Sequence, residues 1–502
     1  MKYLSILGCL FLTACTAGLG GAKITNLSVL TENPNYEMKG ILQQVENCEP
    51  NAGKCNINIF YIHGMGKTAT SFQSPFLDYL LTLKGLNFTR RKLNDTPIFL
   101  SPKFNNLEVR GEAILDTSPC SNLLNENRCQ FGRMLRDVYS GEINGINVNV
   151  NSYALYWEGD AWDGIQAGYI QDDIDTIASE SVWINKLLKE TVVDYGFSDA
   201  ALYLGDFGKV LRYSTETAIC IMVRDAIDTS VNDLSDPNSC DLSSLSDSRS
   251  LEEIRSLNLT FISKSLGSRI FMDSILPLNE LNSTFEYSRA IKTLNPEMTT
   301  EEVTTSTIVA NQEDVKAIQT KRAIAQSLSA SYMLANQLPL LGIGTLEVEN
   351  SEILALRDSL YCRLILENQG NDCQSPLKSA DGQFSSNINF FTFVEDVNDQ
   401  SDAKGEADRK MNIYAFRDPN DLLGFQATQH LSSRGTSIQD NPYRHLEITE
   451  INHRNAREWL WSFSNPKSAH ANEDRRGSQS LTLIWCGGEV AENGKLHAKG
   501  CP

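Results

Sequence analysis

Apolar positions fall along this chain in short, sharply bounded runs. Asn56-Ile57-Asn58-Ile59-Phe60-Tyr61-Ile62 begins as an alternation and becomes continuously apolar, as strands buried on both faces do. A glycine turn, His63-Gly64-Met65-Gly66, follows it. Ser74-Pro75 then predicts a helix start, with Ser as N-cap and Pro at the first helical position. Val148 to Trp157 predicts a second strand, and Ile170, Ile174, Ile177, Ile184 and Leu188 share one helical face. Residues 232–250, rich in Ser, Asp and Asn, predict loop. Leu259-Thr260-Phe261-Ile262 predicts a short strand, then a tight turn and a helix that Pro277 stops. Residues 283–325, polar and rich in Thr and Glu, predict a surface insertion. Ser331–Ala335, Ile413–Phe416, Leu446–Ile451 and Leu481–Trp485 predict the remaining strands. Strands separated by helical segments imply a mainly parallel α/β sheet, one sheet with long insertions rather than two domains.

Charge narrows the partners. The 502 residues carry 44 Lys+Arg against 63 Asp+Glu, a net charge of −19. That sign argues against nucleic acid and against electrostatic docking to an anionic membrane. The N-terminus adds an address. One positive charge at Lys2 precedes the short apolar run Leu4–Leu12, which reads as a signal peptide over residues 1–14. Leu12-Thr13-Ala14-Cys15 resembles the lipobox of bacterial lipoproteins, which implies that Cys15 is acylated and becomes the first mature residue. Thr16 follows where an Asp would suggest inner-membrane retention, so the expected place is the outer membrane, facing periplasm or cell surface. The membrane would then be a partner through the N-terminal lipid only.

Cysteine usage agrees with export. Apart from Cys9 and Cys15, ten remain as close neighbours: Cys48/Cys55, Cys120/Cys129, Cys220/Cys240, Cys362/Cys373 and Cys486/Cys501. Five local disulfides in an oxidising compartment are expected. No CxxC or His/Cys ligand spacing occurs, and no metal or cofactor is expected. Glu395 to Asp402 is acidic, but Ser401 stands where a calcium loop started at Asp396 needs glycine, so a solvated loop is expected there.

The sharpest chemical signal is Ser263-Lys264-Ser265-Leu266-Gly267, placed between a strand and a helix. It resembles the nucleophile elbow of α/β-hydrolases, G-x-S-x-G, with Ser263 at the first glycine. Residues two before and two after the nucleophile lie against each other there and must be small, which serine satisfies. The His63-Gly64-Met65-Gly66 turn resembles the oxyanion loop of the same superfamily. Transferred by position, the oxyanion donors are the amides of Met65 and Leu266, and His63 holds the loop rather than moving protons. The superfamily orders its triad as Ser, acid, His. The acid is then Asp421, with Asp418 as rival, after the strand Ile413–Phe416. The histidine is His470, with His453 as rival, after the last core strand. The resemblance implies an α/β-hydrolase fold with helices on both sheet faces. It divides the chain into a lead-in at 15–55 and a hydrolase domain at 56–502. Insertions at about 160–255 and 283–385 would form a cap. The implied function is a serine esterase or lipase acting on an ester or lipid ester. The alternative is a non-catalytic envelope lipoprotein that uses the scaffold for binding or structure.

Overall fold

The computed structural model describes residues 28–29, 37–48, 54–64, 72–83, 85–99, 130–157, 198–205, 207–227, 240–334, 351–367, 390–403, 410–417, 444–452, 479–490, 496–498 and 501. In chain order these form β1 (Ser28–Val29), β2 (Glu37–Met38), a 3-10 turn (Ile41–Asn47), β3 (Lys54–Ile62) and α1 (Ser74–Leu77). A second 3-10 turn (Asp78–Thr82), β4 (Thr89–Lys92), β5 (Thr96–Phe99), β6 (Gln130–Ile143) and β7 (Ile146–Tyr156) follow. Next come α2 (Ser198–Leu204), α3 (Phe207–Ile227), a 3-10 turn (Leu242–Leu245), α4 (Ser248–Ser256), β8 (Leu259–Lys264) and α5 (Leu266–Ile275). Then α6 (Leu278–Leu294), α7 (Thr300–Ala310), α8 (Gln312–Ser327), β9 (Leu328–Leu334), α9 (Ser351–Leu364) and α10 (Phe390–Ala403) follow. The last elements are β10 (Met411–Arg417), β11 (Leu446–Asn452), α11 (Gln479–Cys486), β12 (Gly488–Val490) and β13 (Leu496–Ala498).

Ten strands form one sheet, in the order β1-β11-β10-β9-β8-β3-β7-β6-β4, with β5 also on β6. Its centre, from β11 to β7, is parallel throughout. Antiparallel strands flank it on both sides. A three-stranded sheet, β13-β12-β2, joins the chain's two ends.

Both faces of the central strands are buried, which is why they read as nearly unbroken apolar runs. In β3, Phe60 and Ile62 enter one core while Ile57, Ile59 and Tyr61 enter the other. The first core is thick and takes α3, α5, α8 and α10. The second is covered by the first 3-10 turn, α1 and α11. The lead-in is pinned to this second face: the stacked Tyr332 and Tyr414 bond Lys39 O and N through their hydroxyls, each at 3.0 Å.

Several local expectations change. Leu481–Trp485 lies within helix α11, not a strand. A short apolar run cannot be told from a buried helix by period alone, and Gly487 at φ +77° closes the turn. The end of 232–250 is structured too. Asp241 accepts Ser243 N at 2.9 Å to cap a 3-10 turn, and Asp247 accepts Ser250 N at 3.0 Å to cap α4. Ser and Asp are the residues of loops and of N-caps alike. Residues 283–325 form most of α6, α7 and α8, and the second half of α8, from Ala317 to Ser327, is buried save for Gln319. Glu395–Ala403 is helical, as part of α10. At α1 the N-cap position falls on Gln73 instead of Ser74, without a side-chain cap bond. Of the helices described in the two expected insertions, α3 packs directly on the sheet's thick face, whereas α8 packs on the Leu242–Leu245 turn, α4, α6 and α10.

One element went unpredicted although its signal is in the chain. β6 and β7 form a hairpin over Asn144-Gly145, whose φ angles are 50° and 81°. Asn-Gly between strands is the residue pair that a two-residue hairpin turn needs.

Disulfides join Cys48–Cys55, Cys220–Cys240 and Cys486–Cys501, as the spacing implied. Cys362 is also disulfide-bonded. Cys373, its expected partner, lies outside the described residues, as do Cys120, Cys129 and Cys15. No described helix is long and apolar enough to cross a membrane.

Candidate functional site

From β3, the chain's next parallel strand lies on one side at β7, and the later ones, β8 to β11, lie on the other. The order therefore reverses between β3 and β8. In open α/β sheets a crevice forms beyond the carboxyl ends of the strands at such a point. His63-Gly64 leaves β3 there, and Ser265 leaves β8 beside it.

Ser265 has φ +53° and ψ −126° as the N-cap of α5. A residue with a Cβ is strained in that region by about 1–3 kcal/mol, so the surroundings must hold it. Ser265 N donates to Leu334 O at 2.8 Å, and Ser265 O accepts from Ser268 N at 3.1 Å. Ser263 Oγ donates to Ser268 Oγ at 3.0 Å, closing the strand end onto the helix's first turn. Glycine is required at two positions here. A Cβ on Gly267 would stand 2.4 Å from His63 O, and one on Gly64 would stand 2.5 Å from Ser265 Cβ. The two turns thus touch backbone to backbone.

The Ser265 hydroxyl is buried and has no hydrogen-bond partner among the described residues. A buried hydroxyl left unsatisfied is unusual and asks for an explanation. Leu266 opens α5, where the first N–H groups have no partner inside the helix. The helix N-terminus also favours developing negative charge beside Ser265.

His63 is fully buried and locked. Its Nδ1 faces Gly64 O at 2.7 Å, and its Nε2 faces Trp157 N at 3.3 Å. Gly64 O can only accept and Trp157 N–H can only donate, which assigns the neutral tautomer with the proton on Nδ1. The Trp157 indole N–H donates to His63 O at 3.1 Å, and the two rings stack with centroids 4.9 Å apart. Burial, with a smaller contribution from nearby Lys264, lowers the His63 pKa to about 3 against the hydrogen bond to Gly64. His63 is therefore neutral at pH 7 and suited to holding the turn. Trp157 was not singled out from the sequence as part of this lock. Its only signal was an aromatic pair, Tyr156-Trp157, ending a strand.

The structure thus brings together Ser265, Leu266, His63 and Gly64. Met65, Asp418, Asp421, His453 and His470 lie outside the described residues. The strands that precede them end on this same edge, because Lys264, Leu334, Phe416 and Ile451 share one rung.

At the opposite edge, Glu395, Asp399 and His445 place ligand-type atoms within 4.8 Å of one another. Glu395 accepts the N–H groups of Arg444 and His445 at 2.5 and 2.8 Å, and His445 Nε2 meets Asp399 Oδ1 at 2.8 Å. The group ties α10 to the start of β11. Compared with protein-family models, curated proteins and solved structures, the chain matches none.

Proposed function

We propose that this chain is a serine hydrolase of the α/β-hydrolase type that cleaves carboxylic or lipid esters. The observation that carries the reading is Ser265: a strained, buried hydroxyl without a partner among the described residues, at a strand-to-helix turn pressed against the glycine turn after β3. Strand order supports it. The segments with Asp418/Asp421 and His453/His470 follow the two strands beyond β9, the order in which this superfamily places acid and histidine.

In this mechanism His470 takes the proton of Ser265 as Oγ attacks the ester carbonyl carbon. The tetrahedral oxyanion lies at the amides of Leu266 and Met65. The carbon–oxygen bond to the alcohol breaks as His470 returns the proton to the leaving oxygen. Water then hydrolyses the acyl-enzyme by the same route, and Asp421 orients the imidazole throughout. The local disulfides fit an oxidising compartment, so an exported protein acylated on Cys15 and held at the outer membrane is part of the same proposal.

A fluorophosphonate probe and short-chain nitrophenyl esters test it. The wild type should be labelled and should turn over the esters, and Ser265→Ala should do neither. Turnover by Ser265→Ala at the wild-type rate leaves the binding-module alternative in possession. Asp421→Asn and His470→Ala, beside Asp418→Asn and His453→Ala, assign the other two members.

A further inference from the structure

The first strand fixes where the chain enters the sheet. β1 runs antiparallel to β11, with Ser28 opposite Asn452 and Val29 opposite Ile451. Across the ladder, Val29, Ile451, Phe416, Leu334 and Lys264 share one rung. Ser28 therefore stands one residue further toward the carboxyl edge, level with Ser265. Four strand spacings, about 19 Å, separate them along the sheet. β1 therefore begins at the edge that carries the candidate nucleophile.

Cys15 is thirteen residues upstream of Ser28. A chain of that length reaches about 45 Å at full extension and about 20 Å as a relaxed coil. A lipid on Cys15 would hold the Ser265 edge within that reach of the bilayer. Had β1 run the other way, the tether would leave from the far ends of the strands and the site would point away from the membrane.

We propose that the N-terminal tether presents the Ser265 edge to the membrane that holds it, and that the substrate is an ester lipid of that same membrane. This rests on the serine-hydrolase and lipid-anchor readings above. The net charge of −19 offers no attraction to an anionic leaflet. Surface residence then falls to the tether, which makes the encounter with membrane esters effectively intramolecular.

The test reconstitutes the lipidated protein in phosphatidylethanolamine/phosphatidylglycerol vesicles that carry a fluorogenic ester lipid, beside a soluble nitrophenyl ester. Wild type should cleave the ester lipid of its own vesicles at least about tenfold faster than that of separate vesicles. Cys15→Ser should lose this advantage and keep full nitrophenyl turnover. The proposal is overturned if Cys15→Ser cleaves vesicle-borne ester as fast as wild type. It is equally overturned if wild type turns over the soluble ester and ignores the ester in its own vesicles. Loss of soluble turnover in wild type, or a wild-type Cys15 without acyl chains, overturns it through the reading beneath it. Those two results are distinguishable from the first two.

Discussion

Two buried polar centres in this chain have opposite character. At the Ser265 turn the backbone is strained, the hydroxyl has no partner among the described residues and the neighbouring histidine is held neutral. Under the thick face of the sheet, Lys321 Nζ lies fully buried between Glu216 at 2.9 Å and Glu280 at 2.8 Å and donates to both. Asn279 donates to the same Glu216 at 2.9 Å and accepts from Arg212 at 3.1 Å. The two carboxylates hold the Lys321 pKa above its ordinary value against the burial that opposes it. The second centre closes on itself and joins α3, α6 and α8. The first holds a hydroxyl without a partner among the described residues, at the carboxyl edge of the strands. Buried polarity alone therefore does not single out a site; the proposal for Ser265 rests on polarity left without a described partner under backbone strain.

Removing the key side chain should separate the two most widely at Ser265. On the proposed serine-hydrolase mechanism, Ser265→Ala is expected to lower ester turnover by at least about 10⁴-fold, since members of a catalytic triad act as a unit. Its unfolding free energy should stay within about 1 kcal/mol of wild type, because the one buried hydroxyl lost makes no hydrogen bond among the described residues. Urea unfolding beside ester kinetics reads both. A loss of stability above about 2 kcal/mol would place Ser265 with the structural centre.

Lys321→Met is the converse. It leaves two buried carboxylates facing each other without a cation, and should destabilise by about 3–5 kcal/mol. Turnover per folded molecule should hold within about twofold. If stability is unchanged in urea, the cluster is not the clamp described here.

How far the sequence revealed these centres follows from what each is built of. The elbow was legible because its constraint is local: Ser263, Ser265 and Gly267 must be small or nucleophilic at fixed spacing between strand and helix. The parallel strands were legible for the same kind of reason, as short apolar runs buried on both faces. The Lys321 cluster was not. Glu216, Glu280 and Lys321 are far apart in the chain, and each alone reads as a solvated helix charge. The polar stretch 283–325 accordingly reads as surface, while the structure buries the second half of α8. Trp157 escaped notice likewise, because its partner His63 is 94 residues away.

His63 sharpens the comparison by pH. Its folded pKa of about 3 lies below the ordinary 6.5, so between those values the unfolded chain binds a proton that the folded chain refuses. Stability should fall as pH drops through that window, by about 1.4 kcal/mol per pH unit at most from this group. His63→Asn, which cannot titrate there, should show a shallower decline between pH 6.5 and 4. Parallel unfolding curves for the two proteins at pH 7, 5 and 4 would show that His63 is not held neutral as described.

The smallest expected effect lies inside the elbow. Ser263 stands where the nucleophile elbow that this turn resembles has glycine, and its hydroxyl bonds Ser268 between strand and helix. Ser263→Gly loses that bond, worth about 1 kcal/mol net, and adds backbone freedom to the unfolded chain worth about 0.5–1 kcal/mol. The turn itself should survive, because the position needs only a small residue and Ser265 keeps its bonds to Leu334 and Ser268. Turnover should therefore stay within about threefold while unfolding eases by about 1–2 kcal/mol. Ser268→Ala should reproduce the stability loss, and the double variant should add little of the shared bond's worth, since the two hydroxyls are one interaction. A collapse of turnover in Ser263→Gly at intact stability would mean that the Ser263–Ser268 bond aims the nucleophile, and the division between a holding centre and a reacting one would then run through the elbow itself.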